Sequence, residues 1–189
     1  MLSDSKSIFW YVLFAANGKA EKISNYLKTN NIECFFPLGY RENRIRNSER
    51  TRRILQPLLR NYVFVKSSKA SLEPHLQEIR RRFSITSGLY YRDLGSGEIV
   101  VVPEKQMQDF ITVSRLGEER IIYFSNEEVN LEKGTKIRIT GGIFAGVEGV
   151  FMRVKGDRRV VVSLPKLFSV ATAFVPLEFI EPFDNEIEK

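Results

Sequence analysis

Residues 133–154 read KGTKIRITGGIFAGVEGVFMRV, and their spacing decides the architecture of the C-terminal part. Ile137 and Ile139 sit at alternate positions, as do Val150, Met152 and Val154, which predicts two strands, each with one apolar face. The glycines between them predict a tight turn. Gly142 and Gly146 are expected in conformations that a side chain forbids, and Gly149 where two backbones approach closely. The period of two continues downstream through Val160, Val162 and Leu164, then Ala171, Ala173 and Val175, with Lys155-Gly156-Asp157 and Pro165 as punctuation. Short strands broken at short intervals predict a small all-β barrel over 131–184, without a helix.

Upstream of this motif, residues 117–130 are charged, carry Glu118, Glu119, Glu127 and Glu128, and lack a helical apolar stripe. They read as a linker with a short β segment at Ile121 to Phe124. Residues 1–116 form a separate domain. IFWYVLFA at 8–15 is a continuous apolar run, a buried first strand ending at the Asn17-Gly18 turn. From Lys19 to Asn30, Ala20, Ile23, Tyr26 and Leu27 recur at helical spacing, with Asn17 as the N-cap. Ile32 to Leu38 returns to β character. RENRIRNSERTRR at 41–53 holds six arginines and a single apolar residue, Ile45, so it cannot be core and reads as a projecting hairpin or loop.

NYVFV at 61–65 is the next strand. Ser71 caps a helix with Leu72, Leu76 and Ile79 on one face and Pro74 in its first turn. Phe83 to Tyr91 and Glu98 to Val102 read as strands joined through Gly95-Ser96-Gly97, and Pro103 opens a helix that turns Met107, Phe110 and Ile111 inward. The fold class is therefore α+β: an N-terminal antiparallel sheet flanked by helices, followed by the small barrel.

The net charge of +6 conceals a division between the halves. Residues 1–117 carry 19 Lys and Arg against 11 Asp and Glu, and residues 118–189 carry 10 against 12. A basic excess on one side, mostly arginine, points to a polyanion contact made by the N-terminal part. One cysteine, Cys34, and one histidine, His75, cannot supply a Cys/His metal site or a disulfide, so neither metal nor cofactor is expected. No stretch of 18 apolar residues occurs and the start lacks an export signal, which predicts a soluble protein with no membrane partner. His75 has no nucleophile paired with it in the sequence, GSG at 95–97 lacks the lysine of a phosphate loop, and no cluster of titratable residues suggests catalysis.

The glycine-rich motif at 133–154 resembles the KOW motif of transcription and ribosomal proteins. Independently, Trp10-Tyr11-Val12-Leu13, Phe36-Pro37 and PLLRNYVFV at 57–65 resemble the NusG N-terminal domain, in the same order and spacing. The third motif departs from the family pattern at Leu59, where an aromatic is usual, and at Arg60, where proline is usual. The resemblance covers nearly the whole chain and is greatest to the specialised RfaH-like and UpxY-like antiterminators.

That resemblance implies a cytoplasmic bacterial factor, monomeric, that grips the clamp helices of RNA polymerase and suppresses pausing or termination on long surface-polysaccharide operons. Matched residue by residue, it places polymerase contacts at Phe14, Leu59, Tyr62 and Phe64, with Tyr11 in addition. It also implies contact with non-template DNA or nascent RNA, for which Arg41, Arg44, Arg46, Arg50, Arg52 and Arg53 are the candidates. A ribosomal protein or Rho is the implied partner of the KOW domain; the net charge of −2 over 118–189 and the expected exposed residues Phe144, Phe151 and Phe168 do not choose between them. A ribosome-associated or RNA-binding KOW protein is the alternative, separated from the first reading by the WYVL and PLLRNYVFV motifs.

Overall fold

A computed structural model describes residues 6–44, 50–115, 121–125, 134–154, 156–164, 166–172 and 175–182. In chain order the elements are β1 (Ile8–Phe14), α1 (Lys19–Thr29), β2 (Cys34–Phe35), β3 (Leu38–Arg44), β4 (Thr51–Pro57), β5 (Tyr62–Ser68), α2 (Lys69–Arg82), β6 (Val101–Val102) and α3 (Glu104–Arg115). There follow β7 (Ile122–Ser125), β8 (Thr135–Ile139), β9 (Glu148–Val154), β10 (Asp157–Leu164), β11 (Phe168–Ala171) and β12 (Ile180–Pro182). The chain divides into two compact units, Met1–Leu38 with Pro57–Glu104, and Gly39–Gln56 with Lys105–Lys189.

The first unit is built on a four-stranded sheet in the order β2-β5-β1-β6, with β1 antiparallel to β5. Leu13 lies opposite Val63 and Tyr11 opposite Val65, so these four side chains share a face. That face forms a core with Ala20, Ile23 and Leu27 of α1 and Leu72, Leu76 and Ile79 of α2, all of them buried. The expected apolar stripes of both helices are therefore the packed ones.

Several local expectations give way to particular backbone features. Asn17 does not cap α1: it sits at φ 58 beside Gly18 at φ 71, and the cap position falls on Gly18 without a side-chain bond. Two consecutive left-handed residues make the turn instead. Helix α2 starts earlier than expected, because the Ser68 hydroxyl accepts the Ser71 N–H at 3.1 Å and takes the capping role. Pro74 consequently lies in the second turn. Helix α2 runs through Arg82, and Ser84 at φ 50 breaks the chain, so the strand expected over 83–91 reduces to a bridge at Tyr90. The strand expected at 98–102 reduces to a bridge between Ile99 and Arg92 and the two residues of β6. Pro37 splits the one expected at 32–38 into β2 and the start of β3, since proline donates no ladder bond.

The second unit contains the β3-β4 hairpin and a six-stranded antiparallel sheet in the order β12-β8-β9-β10-β11-β7. No ladder joins β7 to β12 among the described residues. The turn between β8 and β9 follows the glycine reading. Gly146 holds φ +86 while its N–H reaches the Ile139 carbonyl at 2.7 Å. Where no helix was expected, single 3-10 turns occur at Gly142–Phe144 and Leu177–Phe179. Helix α3 buries Met107, Phe110 and Ile111 as its spacing predicts, and Phe110 packs against Tyr123 and Phe168 with ring centroids 6.3 and 5.7 Å away.

Asp109, also on α3, is a buried carboxylate that accepts from Lys105 Nζ at 2.6 and 2.8 Å and from the Glu148 N–H at 3.3 Å. Lys105 donates further to the Gly146 carbonyl at 2.9 Å, and Glu148 pairs with Arg138 at 2.8 Å. Burial raises the Asp109 pKa above the usual carboxylate value, outweighing Lys105 and the Glu148 amide.

Both Gly149 and Asp109 make this unit's stability testable. A Cβ on Gly149 would stand 2.6 Å from the Val161 carbonyl oxygen and 2.8 Å from Val160 Cγ1. Gly149→Ala should therefore cost about 1–3 kcal/mol in denaturant unfolding, as overpacking does. Gly95→Ala, where the added carbon meets nothing within 4 Å, should be nearly neutral. Because the folded pKa of Asp109 is raised, its contribution is fully present below the ordinary carboxylate value of about 4 and is lost as pH rises through the folded value. The stability of the native protein relative to Asp109→Asn should accordingly decline from acid towards neutral pH, and a flat or rising difference would contradict it.

Candidate functional site

The register of β1 on β5 also determines the face opposite the helices. Phe14 lies across from Tyr62, Val12 from Phe64 and Trp10 from Lys66, so these six side chains point away from α1 and α2. At one end of this row, Trp10 Nε1 donates to Glu104 at 3.0 Å and Lys66 donates to the same carboxylate at 2.9 Å. The Lys66 ammonium also stands 5.8 Å from the centre of the Trp10 ring.

At the other end three aromatic rings converge. Phe14 and Tyr62 have centroids 5.3 Å apart, and Tyr91 stands 5.6 Å from Tyr62 and 6.4 Å from Phe14. Phe14 is 37 % exposed, and Tyr62 and Tyr91 are half-buried. Burial, with Tyr91 close by, pushes the Tyr62 phenol above its ordinary value, so at physiological pH it presents a neutral hydroxyl. The triad is a preformed aromatic patch without formal charge.

Of the five residues singled out for polymerase contact, Phe14 and Tyr62 are thus brought together. Leu59 is half-buried in the turn before β5, where its carbonyl accepts the Tyr62 N–H at 3.3 Å. Phe64 is fully buried on the same face as Phe14, with Phe35 at 6.3 Å. Tyr11 is 5 % exposed on the opposite face, inside the helix-covered core, and packs edge-on against Tyr90 at 5.4 Å.

Tyr91 is the member that sequence reasoning missed. Its N–H donates to the Val12 carbonyl at 2.8 Å, which aligns it with β1. The adjacent Tyr90 turns to the core instead, where burial lifts its phenol to about 12. Leu89 and Tyr90 both pack into that core, so no strand alternation marks Tyr91, and sequence alone does not say which tyrosine faces out.

The arginine segment forms the β3-β4 hairpin. Arg41 and Arg44 lie on β3, and Arg52 and Arg53 on β4. Arg44, Arg50, Arg52 and Arg53 are exposed, while Arg46 lies outside the described residues. The Arg53 guanidinium stands 5.1 Å from the centre of the Tyr40 ring. Arg80 and Arg81 are engaged differently, in ion pairs with Glu73 at 3.5 Å and Glu78 at 2.7 Å. Arg82 stacks over Tyr26 and Phe83 at the edge of a cleft of about 290 Å³ between the last turns of α1 and α2.

His75 Nδ1 lies 3.2 Å from the Tyr26 hydroxyl, which ties it to α1. Cys34 is half-buried, and burial raises its thiol pKa. Among the described residues no group of three or more His, Cys, Asp or Glu side chains could hold a metal ion, and no helix is long and apolar enough to cross a membrane. In the second unit Phe144 and Phe168 are buried, at 5 and 6 % exposure, and Phe151 is half-buried. The exposure expected of these rings is therefore not found, and Phe168 is spent on packing against Phe110.

Compared with known protein families, residues 9–111 match the family described as "Transcription termination factor nusG". A search of curated proteins returned no match. The matched span runs from β1 into α3 and includes the aromatic triad and the hairpin. Members of this family are transcription factors and not enzymes, and they generally bind RNA polymerase. With the match spanning more than half of its length, the chain belongs to the NusG family of transcription elongation and antitermination factors.

Proposed function

We propose that the protein is a specialised NusG paralogue of the UpxY or RfaH type that docks on the clamp helices of RNA polymerase and suppresses pausing or termination on long surface-polysaccharide operons. The observation that carries this reading is the Phe14, Tyr62 and Tyr91 triad, a solvent-facing aromatic patch on a sheet whose other face is fully occupied by helices. Rigid aromatics supply hot-spot contact area at small entropic cost. Leu59 lies in the turn leading to Tyr62 and extends the contact. Tyr11 and Phe64, being buried, support the patch from within the sheet.

In this reading the hairpin arginines lie along the exposed non-template strand or nascent RNA. The chain acts as a monomer in the bacterial cytoplasm. Residues 1–116 form the NusG N-terminal domain, 117–130 the linker and 131–184 a KOW barrel that engages a ribosomal protein or Rho. The antiparallel sheet of β8 to β12 and the glycine geometry at Gly146 and Gly149 support the KOW assignment.

Co-purification of tagged protein with cognate RNA polymerase tests the docking surface. Phe14→Ala and Tyr62→Ala should each weaken retention roughly 30-fold or more, as truncating a hot-spot residue does, while the melt stays native-like. Recovery of ribosomes or free RNA without polymerase would replace this reading with the RNA-binding alternative. Separately, changing Arg44, Arg50 and Arg52 to Gln should weaken binding of single strands of any sequence. It should also reduce the slope of log K against log salt by roughly 0.7 for each phosphate that is no longer neutralised.

A further inference from the structure

The cleft of about 290 Å³ between α1 and the end of α2 is near the lower end of the size of small-ligand sites. Its α1 wall is one helical stripe, Lys22, Asn25, Tyr26 and Thr29. Arg82 and Phe83 close it from α2. Tyr26 and Phe83 are half-buried against the core, and the Tyr26 hydroxyl is tied to His75 Nδ1 at 3.2 Å, so both rings are held in place. The Arg82 guanidinium stands 5.9 Å from each ring centre.

The charge of this cleft is unbalanced. Arg80 and Arg81 are paired with Glu73 and Glu78, whereas Arg82 and Lys22 have no ion pair among the described residues, and none of the described lining residues is a carboxylate. The helix dipole accounts for a cation at Arg82, but it disfavours one at Lys22, near the start of α1. Helix-end carbonyls, which would repel an anion, are turned to the chain's own donors. Thr29 Oγ1 donates to the Asn25 carbonyl at 2.9 Å, Asn30 Nδ2 to that of Tyr26 at 2.8 Å and the Ile85 N–H to that of Arg80 at 2.9 Å.

We propose that this cleft binds a free nucleoside monophosphate, with its phosphate between Arg82 and Lys22 and its base against Tyr26 and Phe83. Two cations suit a single group of nearly two charges. A phosphate monoester carries about −1.5 to −2 at neutral pH and offers three acceptor oxygens, where a carboxylate carries one charge. The guanidinium fork takes two of those oxygens at once. Bare phosphate would leave the two rings uncovered, whereas a flat base has the π face on which aromatic side chains stack. Asn25, exposed on the same stripe, offers a donor and an acceptor to the base edge. None of these residues belongs to the aromatic triad or to the β3-β4 hairpin, so the inference stands apart from the contacts proposed for those surfaces.

Calorimetric titration of the full chain with AMP, ribose 5-phosphate, adenosine and inorganic phosphate tests the site. AMP should bind saturably, and the other three, each lacking the base or the phosphate, about tenfold more weakly or worse. Arg82→Gln and Lys22→Gln should each weaken AMP about tenfold, as loss of a charged hydrogen bond does. Arg81→Gln removes the same charge from a side chain already paired with Glu78 and should leave AMP within about twofold of the native affinity. The Arg44, Arg50 and Arg52 to Gln variant should do the same. Melts matching the native protein, expected for these exposed side chains, confirm that the variants report binding. No saturable AMP binding would overturn the proposal. So would equal affinity for ribose 5-phosphate or inorganic phosphate, which marks an anion contact that reads no base, and so would an equal loss in Arg81→Gln, which marks diffuse attraction to a basic surface. Loss of AMP binding in the hairpin variant would assign the nucleotide to the hairpin and overturn it as well.

Discussion

The antiparallel register of β1 on β5 is the constraint on which the first unit depends. With Leu13 opposite Val63 and Tyr11 opposite Val65, the helix-facing side of the sheet is wholly apolar. With Phe14 opposite Tyr62, the other side ends in an aromatic patch. A slip of one residue would exchange the two sets, taking Leu13 and Val63 away from the helices and driving Phe14 and Tyr62 under them. Core and candidate docking surface are thus two consequences of a single pairing, and substitutions that loosen the core also disturb the patch.

Close approach governs the second unit in a similar way. Gly149 lies opposite Ile137 of β8, and the carbon it lacks would strike the Val161 carbonyl on β10, so the three-strand centre closes only around glycine. The same strand begins with Glu148, whose N–H serves the buried Asp109 and whose carboxylate serves Arg138. A strand that satisfies a buried carboxylate and admits no side chain at the next residue has little freedom to shift. The β8-β9 turn is correspondingly specified by its backbone, with Gly146 in the left-handed region, more than by any side-chain contact.

These features differed in how far they could be read from sequence. Helical stripes such as Ala20, Ile23 and Leu27 were legible because burial on one side leaves a 3.6-residue period. Gly146 and Gly149 were legible because only glycine fits their positions. Strand boundaries around Ser84 and Pro37 were not, since one left-handed or donor-free residue ends a ladder that its neighbours' propensities would continue. Strand β10 hid part of its role as well: Val160, Val161 and Val162 are all buried, which erases the period of two at its centre. For the candidate site, Phe14 and Tyr62 follow from family motifs, but Tyr91 does not, because its place depends on a hydrogen bond to Val12 formed across almost eighty residues of chain. Phe168 misled for the same reason, since Phe110, against which it packs, comes from a helix distant in sequence.

The two candidate contact surfaces divide their chemistry cleanly. The triad holds no formal charge, since a phenol is neutral at physiological pH and burial raises that of Tyr62 further, so its attraction is short-ranged and survives salt. The hairpin carries its charge exposed, so its attraction is longer-ranged, speeds encounter with a polyanion and fades as salt rises. A factor that must stay on an enzyme while nucleic acid moves past it benefits from that division. On the proposed function the lasting grip is assigned to shape and apolar area and the weaker, exchangeable contact to charge, a division under which nucleic acid could slide without loosening the hold on the primary partner.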